Sequence, residues 1–128
     1  MLRRTLLMLS RSNEVKHLVS SMPVSSGIVS RFVAGDTADE AVDATAALLG
    51  GGRLATLDHL GEDTLDVGQA KATVDAYVLL LERLALRGLT AGAEVSVKLS
   101  AVGQALAGDG HQIALDNART ICQAAANA

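Results

Sequence analysis

The spacing of apolar positions changes several times along the chain, and the first changes predict short helices. Near residues 2–20 the apolar side chains recur at helical intervals until a polar stretch around Pro23 interrupts them. A second short helix is predicted over residues 26–33, closed by Gly35. We therefore expect helical structure at the start of the chain.

A stronger helix signal follows at residues 37–40, whose sequence is TADE. This is a capping box, in which Thr37 accepts a hydrogen bond from the helix backbone and Glu40 reaches back to the Thr37 amide. The predicted helix ends at residues 50–52, because three consecutive glycines extend a helix poorly. We therefore predict a helical lead-in over residues 1–52 and a second segment over residues 53–128.

Strands and helices alternate in the second segment. Residues 53–62 alternate in polarity and predict a strand, and residues 94–103, EVSVKLSAVG, predict another. Asp66 caps the helix between them, Gly88 ends it, and a last helix covers residues 112–126. The apolar positions of these two helices are Val67, Ala70, Val74, Tyr77, Val78, Leu81, Leu84, Ala85, Ile113, Leu115, Ala118, Ile121, Cys122 and Ala125. Strands separated by such helices pair in parallel, so the sequence predicts an α/β fold.

A lysine inside the second predicted strand needs an explanation. Strand parity places Val95, Val97 and Leu99 on one face and Lys98 on the other, among polar neighbours. In an open sheet covered on both faces, parallel strands are apolar throughout, whereas barrel strands turn their inner face to a ligand near their carboxyl ends. The pattern therefore favours a TIM-like (β/α)8 barrel in which Lys98 faces a hydrated or ligand-filled interior.

Two carboxylates, Asp58 and Glu62, hold similar places at the end of the first predicted strand. Opposite charges at strand ends define a candidate site. From the pattern alone, Lys98 is also typical of an edge strand that faces solvent, and the two carboxylates are also typical of a strand end and its loop. No metal-ligand spacing and no phosphate-binding glycine motif is present in the sequence.

Composition narrows the class of partner. The chain has 128 residues and a formal net charge of -3, which suits one soluble domain at most and offers nucleic-acid phosphates no basic surface. The aromatic residues are Tyr77 and Phe32 alone, so base stacking is poorly supported as well. With Cys122 as the single cysteine, a cytoplasmic location is the default.

Several of these stretches resemble the proline dehydrogenase family. LDHLGE at residues 57–62 and EVSVKLSAVG at residues 94–103 are similar to the first two barrel strands of that family. The stretch RFVAGDTADEAV resembles the helical lead-in of bacterial members. QAKATVDAYVLLLERL and GHQIALDNARTICQAAANA are similar to the first two barrel helices, so the resemblance covers nearly the whole chain.

The resemblance implies a distorted (β/α)8 barrel that holds FAD non-covalently. Such enzymes oxidise L-proline to 1-pyrroline-5-carboxylate, the first step of proline catabolism, and pass the electrons to membrane quinone. Lys98 matches the lysine that pairs with the proline carboxylate, Glu62 an acidic residue that closes the site, and Asp58 a supporting carboxylate. A cytoplasmic location is expected, with peripheral attachment to the inner membrane through a basic amphipathic start as the alternative.

The chain departs from the family in its length. A (β/α)8 barrel typically takes ~250 residues, whereas this sequence stops after its second predicted strand–helix unit. We therefore expect an N-terminal fragment, inactive alone, with helices followed by the first two βα units of an incomplete barrel and most FAD contacts beyond Ala128. Two other functions stay open: another barrel enzyme with Lys98 as a Schiff-base lysine, and a non-catalytic helical interaction module.

Overall fold

The computed structural model describes Gly27, residues 33–61 and residues 64–128. The chain divides into two compact units, Met1–Asp36 and Thr37–Ala128, and the regular elements described here lie in the second. The helix predicted over residues 2–20 lies outside the described residues, and so does most of the helix predicted over residues 26–33.

Helices and short strands alternate within the second unit. They are α1 (Ala38–Gly50), β1 (Ala55–Asp58), α2 (Val67–Leu86), β2 (Ala93–Ser96), a 3-10 turn (Leu99–Val102) and α3 (Gly110–Asn127). The two strands pair in parallel, with Ala55 opposite Ala93 and Asp58 opposite Ser96. This architecture fits the predicted α/β class and confirms the predicted parallel pairing.

The helix starts form through local capping, as the sequence predicts. Thr37 Oγ1 accepts a hydrogen bond from Glu40 N at 3.3 Å, and Thr37 N donates to Glu40 Oε2 at 3.0 Å. Asp66 caps α2, because its Oδ1 accepts a hydrogen bond from the backbone amide of Gln69 at 2.8 Å. These side chains satisfy backbone donors that the first turn of a helix leaves without an intrahelical acceptor.

The glycine run after α1 lies within the second compact unit. Val42 of α1 packs in one buried cluster with Leu80 and Leu84 of α2, so α1 shares its core with the strand-bearing part of the chain. The assignment of residues 1–52 to a lead-in and of residues 53–128 to barrel units stays a prediction.

Both strands are shorter than predicted, and the second half of the predicted strand at residues 94–103 is wrong. The chain leaves β2 after Ser96, and Lys98 precedes the 3-10 turn. Gly103 ends that turn with φ 112°, a left-handed conformation that glycine adopts without a Cβ penalty. Because of this turn, Leu99 leaves the apolar strand face, and it is 46% exposed.

The two faces of the sheet have different surroundings. Leu57, Ala93 and Val95 pack against the cluster formed by α1 and α2. Val95 also contacts a second cluster, which consists of Val74, Tyr77, Leu81, Val102, Ala114 and Ile121. The alternate residues, Thr56, Asp58, Glu94 and Ser96, are exposed. Within the described part of the chain, the helices therefore cover one face of the sheet, and the other face is polar.

Candidate functional site

The carboxyl ends of the two strands bring a lysine and a carboxylate together. β1 ends at Asp58, directly opposite Ser96 at the end of β2. Lys98 lies two residues beyond Ser96, and its Nζ is 3.4 Å from Asp58 Oδ2. The structure thus brings together two of the three site residues that the sequence predicts, and Asp58 supplies Lys98 with an anion from the neighbouring strand.

The third predicted site residue, Glu62, lies outside the described residues. Its predicted role in closing the site stays a prediction.

The Lys98–Asp58 pair is partly exposed to solvent. The Lys98 side chain is 47% exposed and that of Asp58 is 37% exposed. Ion pairs in such surroundings contribute about 0–1 kcal/mol to stability, because water already solvates both charges. The pair therefore contributes little to the free energy of folding.

Tyr77 of α2 also belongs to this site, although the sequence pattern places it simply in the core. The residue is 1% exposed, yet its hydroxyl extends to the strand ends. The hydroxyl donates to the Ser96 carbonyl at 2.6 Å and lies 3.1 Å from Asp58 Oδ1. It also accepts a hydrogen bond from the His59 amide at 3.0 Å. One side chain of α2 therefore contacts both strands where they end.

Burial raises the pKa of Tyr77 above the ordinary tyrosine value of 10.0. The hydrogen bond from the His59 amide lowers the pKa, whereas Asp58 raises it through a hydrogen bond and through repulsion of a phenolate. Lys98 lowers the pKa by attraction, but the net direction is upward. The hydroxyl therefore keeps its proton at neutral pH and acts as a donor.

A signal for Tyr77 is present in the sequence, but it does not identify partners. Tyr77 is the single tyrosine of the chain, and a buried tyrosine hydroxyl usually finds a hydrogen-bond partner. Which groups it meets depends on how α2 lies across the strand ends, and no local pattern encodes that arrangement.

Two further side chains hold the 3-10 turn that follows Lys98. The buried Thr64 hydroxyl donates to the Ala101 carbonyl at 2.8 Å. Asn117 Nδ2 of α3 donates to the Val102 carbonyl at 2.9 Å. Side chains from two other parts of the chain therefore hold the turn that begins directly after Lys98.

Other parts of the described chain offer less chemistry. In residues 33–61 and 64–128, no group of three or more His, Cys, Asp or Glu residues could hold a metal ion. A cavity of about 990 Å³ between α2 and α3 shares no lining residue with the Lys98 site. Among the helices described, none has the length and apolar character needed to cross a membrane.

The fold and the site together define a class of protein. It is a parallel α/β protein with charged groups at the carboxyl ends of its strands, which is where such folds bind ligands.

Comparison with known proteins identifies the relatives of this chain. No protein-family model matches it. The chain is 35% identical over 94 residues to a proline dehydrogenase of Deinococcus radiodurans, which is 73% of this chain and 30% of that protein. It is 30% identical over 125 residues to proline dehydrogenase 1 of Bacillus subtilis strain 168, which is 98% of this chain and 39% of that protein. The resemblance to the proline dehydrogenase family is therefore confirmed, and the chain spans about a third of the length of these relatives.

Proposed function

We propose that this chain provides the carboxylate-binding side of a proline dehydrogenase active site, in which Lys98 binds the carboxylate of L-proline. The observation that supports this is the pairing of Lys98 with Asp58 at the carboxyl ends of two parallel strands. An ammonium can donate to several acceptors at once, and about half of the Lys98 side chain, 47%, is exposed at this end of the sheet. The similarity to proline dehydrogenases suggests the identity of that second anion.

In the proposed reaction, L-proline is oxidised to 1-pyrroline-5-carboxylate, with FAD as the electron acceptor and quinone after it. Lys98 neutralises the substrate carboxylate and fixes its orientation, and Asp58 keeps the ammonium at the end of the sheet. A fixed orientation lowers the activation barrier of the reaction, because the entropy of aligning the reactants is lost on binding and not in the chemical step. Glu62 is proposed as the acidic residue that closes the site.

The described residues offer no evident site for the diphosphate of FAD. The diphosphate of FAD would favour the start of a helix or a cluster of cations. The residues that precede α2 and α3 are Asp66 and Asp109, whose negative charges would repel a phosphate. On the helix surfaces, Lys71, Arg83 and Arg87 are engaged with carboxylates. No described residue is therefore assigned to FAD, and the proposal for this chain concerns substrate binding.

For the wider fold we propose an incomplete (β/α)8 barrel. Two features support it: the strands are parallel, and in the described residues the helices cover the apolar face while the polar face carries Asp58 and Glu94. In a barrel, that polar face would line the interior.

A Schiff-base function for Lys98 is supported less well by the same geometry. Attack on a carbonyl requires the neutral amine, whereas the observed contact of Lys98 is with a carboxylate, at 3.4 Å between Nζ and Asp58 Oδ2. The ion pair therefore favours binding of an anion over covalent catalysis.

Titration of the chain with L-proline tests the proposal, followed by NMR of the Lys98 side chain and, in every variant, of the backbone amides of residues 58 and 98. We expect saturable shifts with L-proline and none with pyrrolidine, which is the same ring without the carboxylate. Lys98→Met should weaken binding about 10- to 100-fold, the usual cost of a hydrogen bond to a charged group. Lys71→Met is the matched control, because Lys71 pairs with Asp75 on the surface of α2. Equal affinity in the wild type and Lys98→Met would contradict the proposal, as would a wild-type chain that does not bind L-proline.

A further inference from the structure

The hydroxyl of Tyr77 has one proton and two acceptors at the carboxyl end of the sheet. The Ser96 carbonyl is 2.6 Å away and Asp58 Oδ1 is 3.1 Å away. The His59 amide donates to the same oxygen and occupies one of its lone pairs. Rotation about the C–O bond therefore moves the proton from one acceptor to the other without movement of the ring.

Asp58 lies between two donors. Its Oδ2 faces the Lys98 ammonium at 3.4 Å, and its Oδ1 faces the Tyr77 hydroxyl at 3.1 Å. The separation from Lys98 is longer than that of a good charge-assisted hydrogen bond, which is typically about 2.7–2.9 Å. The Tyr77 contact is likewise longer than a good O–H···O⁻ bond of about 2.5–2.7 Å, so the orientation of the carboxylate depends on both donors together.

The core keeps the Tyr77 ring in place. The ring belongs to the buried cluster that includes Val74, Leu81 and Val102, so the hydroxyl cannot follow movements of the more exposed Asp58. Removal of the hydroxyl oxygen alone leaves this apolar packing unchanged. A structural role of the ring is therefore separable from a role of its hydroxyl.

We infer that Tyr77 is a positioning residue, whose hydroxyl fixes Asp58 and through it places the Lys98 ammonium for an anionic ligand. This inference rests on the proposed function of Lys98. Without ligand, the Tyr77 proton alternates between the Ser96 carbonyl and Asp58. When a ligand carboxylate draws the ammonium away from Asp58, the proton stays with Asp58 and replaces the lost donor. Tyr77 thereby lowers the cost of sharing Lys98 between two carboxylates.

The test compares Tyr77→Phe with Thr73→Val in the full chain without ligand. Thr73 lies one turn earlier on α2, and its buried hydroxyl donates to the Gln69 carbonyl at 3.2 Å, away from the strand ends. For Tyr77→Phe we expect about tenfold faster hydrogen exchange at the His59 amide, since its acceptor is lost. The Lys98 ammonium protons should also exchange several-fold faster with water, and Thr73→Val should change neither rate.

A second substitution separates positioning from simple damage to the core. If Tyr77 acts through Asp58, then Asp58→Asn should remove the effect of Tyr77→Phe on the Lys98 signals. Val74→Ala, which disturbs the same cluster but keeps the hydroxyl, should leave the Lys98 exchange rate close to the wild-type value. Unchanged Lys98 exchange in Tyr77→Phe overturns the inference. The inference is also overturned if Tyr77→Phe speeds Lys98 exchange equally in the Asp58→Asn background, or if Val74→Ala speeds it as much as Tyr77→Phe does.

Titration with L-proline completes the test. Tyr77→Phe should bind L-proline several-fold more weakly than the wild type does, whereas Thr73→Val should match the wild type. A wild-type chain that binds no L-proline would reject the proposed function. Because the exchange measurements use no ligand, they would still decide whether Tyr77 positions Lys98. Normal proline binding with unchanged exchange in Tyr77→Phe would reject the positioning role alone.

Discussion

On one face of the sheet Leu57, Ala93 and Val95 pack against helices, whereas on the other Asp58 and Ser96 are exposed. Both sets come from the same two strands, because successive side chains point to opposite faces. The covered face supplies apolar burial, which stabilises the fold. The polar face holds partly exposed charges that contribute little to stability.

Tyr77 joins these two regions. Its ring lies in the buried cluster, and its hydroxyl lies at the strand ends beside Asp58. Apolar burial and exposed charge are therefore separate in the described residues, except at Tyr77, which takes part in both. Substitutions on the covered face should change the free energy of unfolding, and substitutions on the polar face should change binding.

The largest expected effect is that of Leu84→Ala on the covered face. Leu84 is 1% exposed and lies in the cluster that supports both strands, so its truncation should lower the free energy of unfolding by about 2–5 kcal/mol. The control is Leu86→Ala, because Leu86 on the same helix is 80% exposed and should change stability by at most about 0.5 kcal/mol. Urea denaturation measures both. Similar losses for the two variants would contradict the assignment of the covered face.

A smaller effect is expected from Tyr77 at alkaline pH. Its pKa is raised in the folded chain above the value of 10.0, so the folded state holds the phenolic proton more tightly than the unfolded state does. The resulting stabilisation is fully present below pH 10.0 and is lost as the pH rises through the folded-state pKa. Its contribution to the slope of the unfolding free energy cannot exceed about 1.4 kcal/mol per pH unit.

Urea denaturation of the wild type and Tyr77→Phe between about pH 9 and 11 checks this prediction. Tyr77→Phe should lack the component of the alkaline decline that one phenol supplies. Because Tyr77 is the single tyrosine, the phenolate absorbance of the folded chain also reports its pKa directly. A Tyr77 pKa at or below the ordinary tyrosine value in the folded chain would contradict the prediction that burial raises it.

Local signals in the sequence predict much of the helical structure. The TADE sequence predicts the start of α1, and Asp66 predicts the start of α2, because a cap depends on residues within one turn. Along α3 the buried positions are predicted less well, since Leu115 is 44% exposed and Cys122 is exposed. Packing against α2 selects a narrower stripe, which includes Ala114 and Ile121, than the apolar pattern indicates.

The proximity of Asp58 and Lys98 is predictable from parallel pairing, because this brings the carboxyl ends of both strands to the same end of the sheet. There Lys98 Nζ lies 3.4 Å from Asp58 Oδ2, although Lys98 itself follows the end of β2. The contribution of Tyr77 is not predictable in this way, because it depends on how α2 crosses the strand ends. The turn at residues 99–102 escapes prediction for a similar reason, since Thr64 and Asn117 hold it from other parts of the chain.

The smallest expected effect is that of the Lys98–Asp58 pair on stability. A double-mutant cycle of Lys98→Met and Asp58→Asn should give a coupling energy of about 0–1 kcal/mol, because both side chains are partly exposed. The coupling should fall further in 1 M salt, which screens exposed charges. A matched cycle on Asp43 and Arg87, an exposed pair at 2.9 Å between α1 and α2, should give a similar value. A coupling of 3 kcal/mol or more at Lys98 alone, on the order expected for a buried pair, would contradict the separation of the two faces. Lys98 would then stabilise the fold through Asp58, and its ammonium would be costly to share with a ligand.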